Sequence, residues 1–217
     1  MINDLNIFDS VKSEAIKDLS PEILETTLDL LTDSEVIKEI PIFGLGFKFY
    51  SLYQNITEAF FVKKLLKFLY ELKEVSFQER KKFINELESK NETKKAGEKL
   101  LVTLNRLNDI EKAEMIGKLF KKTILGEIEF EDFNRLSHII DNSYLYDIKL
   151  LKNNLHLSYI DEDVKANLSQ LGLLSLSVSD IFKQQQFLDR VGSGSKAKPK
   201  LEYKANKYCE ILIKFGF

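Results

Sequence analysis

From Phe61 to Leu72 apolar residues recur at three- and four-residue steps: Phe61, Leu65, Phe68 and Leu72, with Leu66 and Leu69 beside them and lysines at 63, 64, 67 and 73. That period predicts an amphipathic helix. Similar stripes follow. Phe83, Ile84 and Leu87 stand behind Ser76-Phe77-Gln78-Glu79, a capping-box spacing. Leu100, Leu101, Leu104 and Leu107 continue with helical period after a polar stretch, Asn91–Lys95, that reads as a connection or a frayed helix end. Asp109 can cap a helix carrying Ile110, Met115, Ile116, Leu119, Phe120 and Ile124, which Gly126 would stop. Glu131, Phe133, Leu136, Ile139 and Ile140 mark another. Upstream, Ser20-Pro21-Glu22 reads as a cap with proline at the first helical position, leading into Ile23, Leu24, Leu28, Leu30 and Leu31. Pro41, Gly44 and Gly46 predict a tight turn or a non-helical entry over 40–46.

Beyond Ser143 the pattern changes. Helices are expected over 147–155 and 161–171, the second ending at Gly172. Leu173-Leu174-Ser175-Leu176-Ser177-Val178 then alternates apolar and polar residues, as a half-buried strand does. Gly192 to Lys200, GSGSKAKPK, is a flexible loop by composition. Leu201-Glu202-Tyr203 can return as a strand and 204–215 as a last helix. The expected fold is mainly α: a helical region over 1–142 containing an apolar hairpin at 40–72, then a small winged-helix-like α+β domain over 143–217. The stretches LSQLGLLSLS (168–177) and EYKANKYCEILIKFG (202–216) carry the resemblance to a winged helix.

Composition narrows the function classes. The 217 residues are 44% hydrophobic and 30% charged, an ordinary globular mixture, and three prolines favour helix over a turn-rich β fold. Cys209 is the only cysteine, so no intrachain disulfide can form, and a cytoplasmic location is expected. The start, MINDLNIFDSVKSEAI, is acidic and lacks a basic run followed by an apolar one, so no secretory signal is expected. Charge is unevenly placed: residues 1–39 hold ten acids against Lys12, Lys17 and Lys38, whereas 189–217 hold seven bases against three acids. Solvated helix faces account for such runs, and pairing within the chain or between copies is the alternative.

Enzyme chemistry finds no constellation. His138 and His156 are far apart in sequence and Cys209 is distant from both, whereas zinc sites show close ligand pairs, so no metal is expected. Gly126 to Asp132, GEIEFED, lacks the arrangement of a calcium loop and reads as the acidic start of a helix. Gly44-Leu45-Gly46 is neither a P-loop nor a dinucleotide fingerprint. No Gly-x-Ser-x-Gly stands beside the histidines, and Cys209 reads as a buried structural thiol. Catalytic residues, cofactors and small-molecule substrates are therefore not expected.

Two surfaces are candidates. From Ile40 to Thr57 the only formal charge is Lys48, and Phe43, Phe47, Phe49, Tyr50 and Tyr53 lie there, with Lys63, Lys64 and Lys67 just beyond. Aromatic residues beside lysines suit an anionic membrane interface or a protein partner. A buried hairpin in a helical domain is the competing reading. In the C-terminal region Lys196, Lys198, Lys200, Lys204 and Lys207 could contact the phosphates of DNA. The helix expected to enter a groove begins Asp161-Glu162-Asp163 and carries Lys165 as its one base, a poor charge for a DNA reader.

Ile40-Pro41-Ile42-x-Gly44, the aromatic run through Tyr53, and Phe61-x-Lys63-Lys64-Leu65-Leu66-x-Phe68-Leu69 resemble a signature of the Abi-alpha type family, small bacterial and prophage proteins of unknown function linked to abortive infection. The resemblance implies a helical middle, a C-terminal part like the Leu-Gly-Leu-Leu segment, and no active site. It implies a non-enzymatic role in phage defence through protein contacts or self-association, with peripheral placement at the inner face of the membrane through 40–72 as a further expectation. The alternative is a winged-helix DNA-binding transcriptional regulator.

Overall fold

The computed structural model describes residues 6–25, 34–44, 56–153, 157–192, 195–196 and 198–217. The chain is mainly helical, with thirteen α-helices among the described residues and one two-stranded antiparallel sheet. It divides into two compact units, Met1–Asp141 with Phe215–Phe217, and Asn142–Lys214.

In the first unit, α1 (Ile7–Val11) is followed by a short 3₁₀ helix (Glu14–Asp18), α2 (Pro21–Glu25), α3 (Glu35–Lys38) and α4 (Pro41–Gly44). Longer helices come next: α5 (Ile56–Tyr70), α6 (Phe77–Ser89), α7 (Thr93–Arg106), α8 (Ile110–Ile124) and α9 (Phe130–Asn142). Of the stretch 40–46, expected as a tight turn or a non-helical entry, residues 41–44 form a single helical turn, α4, and 45 and 46 lie outside the described residues. Proline at the first helical position loses nothing, because the amide it lacks would have had no helical partner. Ser10 Oγ accepts a hydrogen bond from the Ile42 amide at 2.8 Å, so a buried side chain satisfies the next amide of that turn.

The capping box is formed: Ser76 Oγ accepts from the Glu79 amide at 3.3 Å and Glu79 Oε2 accepts from the Ser76 amide at 3.0 Å. Asp109 Oδ1 accepts from the Glu111 amide at 2.8 Å and starts α8. The helix α7 begins at Thr93, inside the stretch expected to be a connection. Core packing centres on Phe120. Its ring lies 5.0 Å from Phe133, 5.5 Å from Phe68, 5.6 Å edge-on from Phe83 and 6.1 Å from Phe8. Helices α5 and α8 make the most extensive pairing among the described elements. Gly117 permits it, because a Cβ there would meet the Phe68 carbonyl oxygen at 2.8 Å.

The second unit holds α10 (Leu145–Asn153), α11 (Glu162–Gln170), β1 (Leu174–Val178), α12 (Ile181–Arg190), β2 (Leu201–Ala205) and α13 (Lys207–Phe215). Gly172, at φ +89°, lets the chain leave α11 and turn into the sheet. The register pairs Leu174 with Ala205, Leu176 with Tyr203 and Val178 with Leu201. The ladder is closed one step further, where the Ser179 amide donates to the Lys200 carbonyl at 2.7 Å and Ser179 Oγ accepts from the Lys200 amide at 2.9 Å.

The last helix starts at Lys207 and not at 204, since Lys204 and Ala205 remain in the ladder. Asn206 makes the break: its Oδ1 accepts from the Tyr208 and Cys209 amides at 3.0 and 3.2 Å, while its Nδ2 donates to the Gly172 carbonyl at 2.7 Å. The helix α12 between the strands has no counterpart in the sequence reading. Asp180 caps it, accepting from the Lys183 amide at 3.2 Å.

Candidate functional site

Two of the eight residues of the first candidate surface, Phe43 and Lys64, are buried. Phe43 is 1% exposed, inside the core with Ile40 and Ile42. Phe47, Phe49, Tyr50 and Tyr53 lie outside the described residues. Lys63 is half-buried on α5. Lys64 is 2% exposed, and its ammonium donates to the carbonyl oxygens of Asn105 at 2.6 Å and Leu107 at 2.7 Å. Those carbonyls end α7, where the last turn leaves acceptors unpaired and the helix dipole favours a cation. The assignment of Lys64 to lipid headgroups is thus corrected: its charge is spent inside the fold, and burial holds its pKa below the usual lysine value despite Asp141 nearby.

Lys67 is likewise engaged. It pairs with Glu114 at 3.1 Å, and Glu114 also meets Lys118 at 2.8 Å. Burial would push the Glu114 carboxyl up, but the hydrogen bonds from Lys118 and Lys67 outweigh it and leave the pKa below the usual carboxylate range. Beside this network, burial and Glu114 together hold the Glu71 carboxyl above that range. A second buried cation, Lys112, points its ammonium at the Asp141 carbonyl, 3.4 Å away, while Arg106 reaches the Asp141 carboxylate at 3.3 Å. Lys64 and Lys112 donate to backbone carbonyls near helix ends, and Lys67, Glu114 and Lys118 pair between α5 and α8.

Potential metal ligands do not cluster among the described residues. No group of three or more His, Cys, Asp or Glu is arranged to hold a metal ion there, and His156 lies outside them. Cys209 is fully buried, and burial with Glu210 nearby pushes its thiol up to about 11, so thiolate is scarce at neutral pH. A shallow groove on α6 is lined by Gln78, Lys81, Lys82, Asn85, Glu86 and Ser89, long polar side chains without a convergent acid, base or donor set. No described helix is long and apolar enough to cross a membrane.

The second unit carries the exposed apolar surface. Among the described residues eleven large hydrophobic side chains are exposed, and nine of them belong to this unit. Directly opposed residues of an antiparallel pair share a face, so Leu176, Val178, Leu201 and Tyr203 extend one apolar face beyond buried Leu174. Ser175, Ser177, Glu202 and Lys204 form the polar face behind it. On α12, Phe182 is 84% and Phe187 65% exposed, with exposed Val191 at its end. Lys196, Lys198, Lys200, Lys204 and Lys207 are all exposed in this unit, Lys204 on the polar face of the ribbon. Lys204 lies 3.9 Å from Glu202, and the Lys207 ammonium 5.7 Å from the Tyr208 ring. Sequence reasoning named the lysines and missed Phe182 and Phe187. The available signal was Asp180 as a cap followed by Phe-Lys-Gln-Gln-Gln-Phe, a helical segment whose aromatic residues do not share the stripe that faces inward.

Comparison of the chain with protein-family models, curated proteins and solved structures returns no match.

Proposed function

We propose that this chain is a non-enzymatic component of bacterial phage defence that acts by surface contacts, chiefly those of its second unit. The observation that carries the contact reading is the exposed apolar face of Leu176, Val178 and Leu201, in a unit that also exposes Phe182 and Phe187. Contiguous apolar exposure of this kind marks an interaction site in a folded protein. The defence role rests on the resemblance of Ile40–Leu72 to the Abi-alpha type signature. Burial of Phe43 and Lys64 supports reading that segment as the frame of the helical unit, with contacts made elsewhere.

Phage-challenge plating tests the role. Cells carrying the gene should show fewer plaques than cells without it for some members of a broad phage panel, and the double substitution F182S/F187S should restore plaque counts. Equal counts with and without the gene across the panel defeat the defence reading.

A winged-helix DNA-binding regulator is the second reading. It is favoured by the order α11, β1, β2, α13 and by exposed Lys196, Lys198 and Lys200 ahead of β2. The acids Glu162 and Asp163 in the first turn of α11, and a ten-residue helix where a wing would run, weigh against it. Filter binding of duplex DNA at two salt concentrations decides: a steep salt slope that shrinks in K196A/K198A/K200A is required.

A further inference from the structure

Hydrogen bonds at the two ends of the β1–β2 ribbon fix which way each backbone group of β2 points. The Ser179 amide donates to the Lys200 carbonyl, and the Asn206 amide donates to the Leu173 carbonyl at 3.3 Å. Both pairs continue the register of the ladder. Hydrogen-bonded pairs alternate with non-bonded ones between antiparallel strands, so Ser177–Glu202 and Ser175–Lys204 are the bonded pairs. The amides and carbonyls of Leu201, Tyr203 and Ala205 therefore point away from β1. Among the described residues β2 pairs with β1 alone, and no backbone hydrogen bond reaches those outward groups. β1 also packs against α11, whereas no second described element lies as extensively against β2.

An open row of backbone donors and acceptors is complementary to another extended backbone. The sequence of β2, Leu201-Glu202-Tyr203-Lys204-Ala205, selects which one. Antiparallel pairing of two copies about Tyr203 sets each Leu201 opposite an Ala205 and each Glu202 opposite a Lys204. The charged pairs then fall at non-hydrogen-bonded positions, where opposed side chains stand closest. A two-residue slip in either direction keeps the outward groups facing one another, but sets Glu202 opposite Glu202 or Lys204 opposite Lys204. In-register parallel pairing likewise brings like charges together. Only one arrangement therefore matches every charge. Within one copy Lys204 and Glu202 lie 3.9 Å apart and are both exposed, so they are free to pair across. β1, Leu-Ser-Leu-Ser-Val, has no charge with which to choose a register.

We infer that the free edge of β2 recognises a second copy of this chain: two β2 strands pair antiparallel about Tyr203 and make one sheet of order β1-β2-β2-β1. The outward amides and carbonyls of Leu201, Tyr203 and Ala205 gain partners, and two Glu202–Lys204 ion pairs form between the copies. The two apolar faces, each with Leu176, Val178, Leu201 and Tyr203, become one continuous face. The joint is a single short strand from each copy, so the dimer is reversible and depends on concentration. The inference rests on the contact reading above and names the partner of the second unit; it does not depend on the defence role.

Sedimentation velocity of the full-length chain over a concentration series tests this. The wild type should pass from monomer to dimer. E202K and K204E should each weaken the dimer by about tenfold or more, since each turns two attractions into two repulsions. The swap E202K/K204E should recover it, and so should an equal mixture of the E202K chain with the K204E chain. Y203P should be monomeric, because proline deletes an outward amide that the β1–β2 ladder does not use. Hydrogen exchange at the Tyr203 amide should slow as wild-type concentration rises, while exchange at the Glu202 and Lys204 amides stays constant. An unchanged far-ultraviolet circular dichroism spectrum confirms folding of each variant.

Any of three results overturns the inference: a wild type that stays monomeric up to millimolar concentration, a dimer untouched by Y203P and by both single charge reversals, or single reversals that neither the swap nor the mixture rescues. A monomeric wild type whose Y203P variant loses its effect on plaques assigns the β2 edge to a strand of another protein instead. If the wild type stays monomeric but F182S/F187S restores plaques, the contact reading stands and the dimer falls. If the dimer forms as described but neither Y203P nor F182S/F187S changes plaque counts, self-pairing stands and the defence role falls.

Discussion

Gly117 of α8 lies directly against Phe68 of α5: a Cβ at position 117 would stand 2.8 Å from the Phe68 carbonyl oxygen and 2.9 Å from Glu71 Cβ. Both distances are shorter than any relaxed contact, and one of the obstacles is backbone. The largest helix pair of the first unit thus depends on the absence of one methyl group.

Gly117→Ala sets two effects against each other. Alanine in a helix interior gains about 1 kcal/mol over glycine. Overpacking at a close crossing costs roughly 1–3 kcal/mol. The crossing should win, because the Phe68 carbonyl cannot rotate away as a side chain would. Urea denaturation should show a lower midpoint for G117A and a still lower one for G117V. A midpoint at or above wild type for G117A would mean that the helices separate at little cost.

Lys64→Ala should destabilise the first unit although its charge touches no acid directly. It removes the donor to two carbonyls at the end of α7, and each buried orphan costs about 1–3 kcal/mol. The pH dependence has a definite sign. The folded pKa lies below the unfolded one, so between them the unfolded chain binds the extra proton. The contribution of Lys64 to stability therefore grows as pH rises through its folded value toward 10.5. Chemical denaturation of wild type and K64A across that alkaline range should show their difference widening with pH.

Cys209 gives the opposite slope. Its thiol is raised from 9.0 to about 11 in the folded chain. Stability from keeping it protonated is complete below pH 9 and is lost as pH climbs through about 11. In C209A that part of the alkaline loss should vanish. Ellman's reagent should label the native thiol slowly and label it at once in denaturant. Fast labelling of native protein at neutral pH would show that the second unit opens locally.

Asn206→Ala removes the cap of α13 and its bond to the Gly172 carbonyl together. A lost cap costs about 0.5–2 kcal/mol. The second unit should melt earlier in N206A, and N206D should recover only part of the loss, since a carboxylate can cap the helix but cannot donate to Gly172. Hydrogen exchange at the amides of Tyr208 and Cys209 reads both variants directly.

Much of the architecture was legible because it is written in local chemistry. Ser76 with Glu79, Asp109 with the Glu111 amide, and the stripe through Phe61, Leu65, Phe68 and Leu72 act within a few residues, so spacing alone reveals them. The mainly helical class and the alternating run that becomes β1 follow from the same local signals. Lys64 was misread for a reason of reach. A lysine on a helix flank looks the same whether its long stem leads to water or to the carbonyls of a helix some forty residues away. Phe182 and Phe187 were passed over because an aromatic residue in a polar stretch carries no mark of whether another element will cover it. The end of β2 was misplaced because Lys204 and Ala205 favour helix locally, and only pairing with Ser175 and Leu174 holds them extended.

The stem that closes at Ser179 and Lys200 has a consequence for the covalent chain itself. Ladder bonds and the two Ser179–Lys200 bonds hold both ends of the 180–199 excursion at one point. The backbone between them adds continuity but little to the pairing of the strands. A single cut after Lys196 or Lys198 would therefore divide the polypeptide in two and leave the second unit folded, its halves held by hydrogen bonds and by the burial of Leu174 in one and of Cys209 and Leu212 in the other.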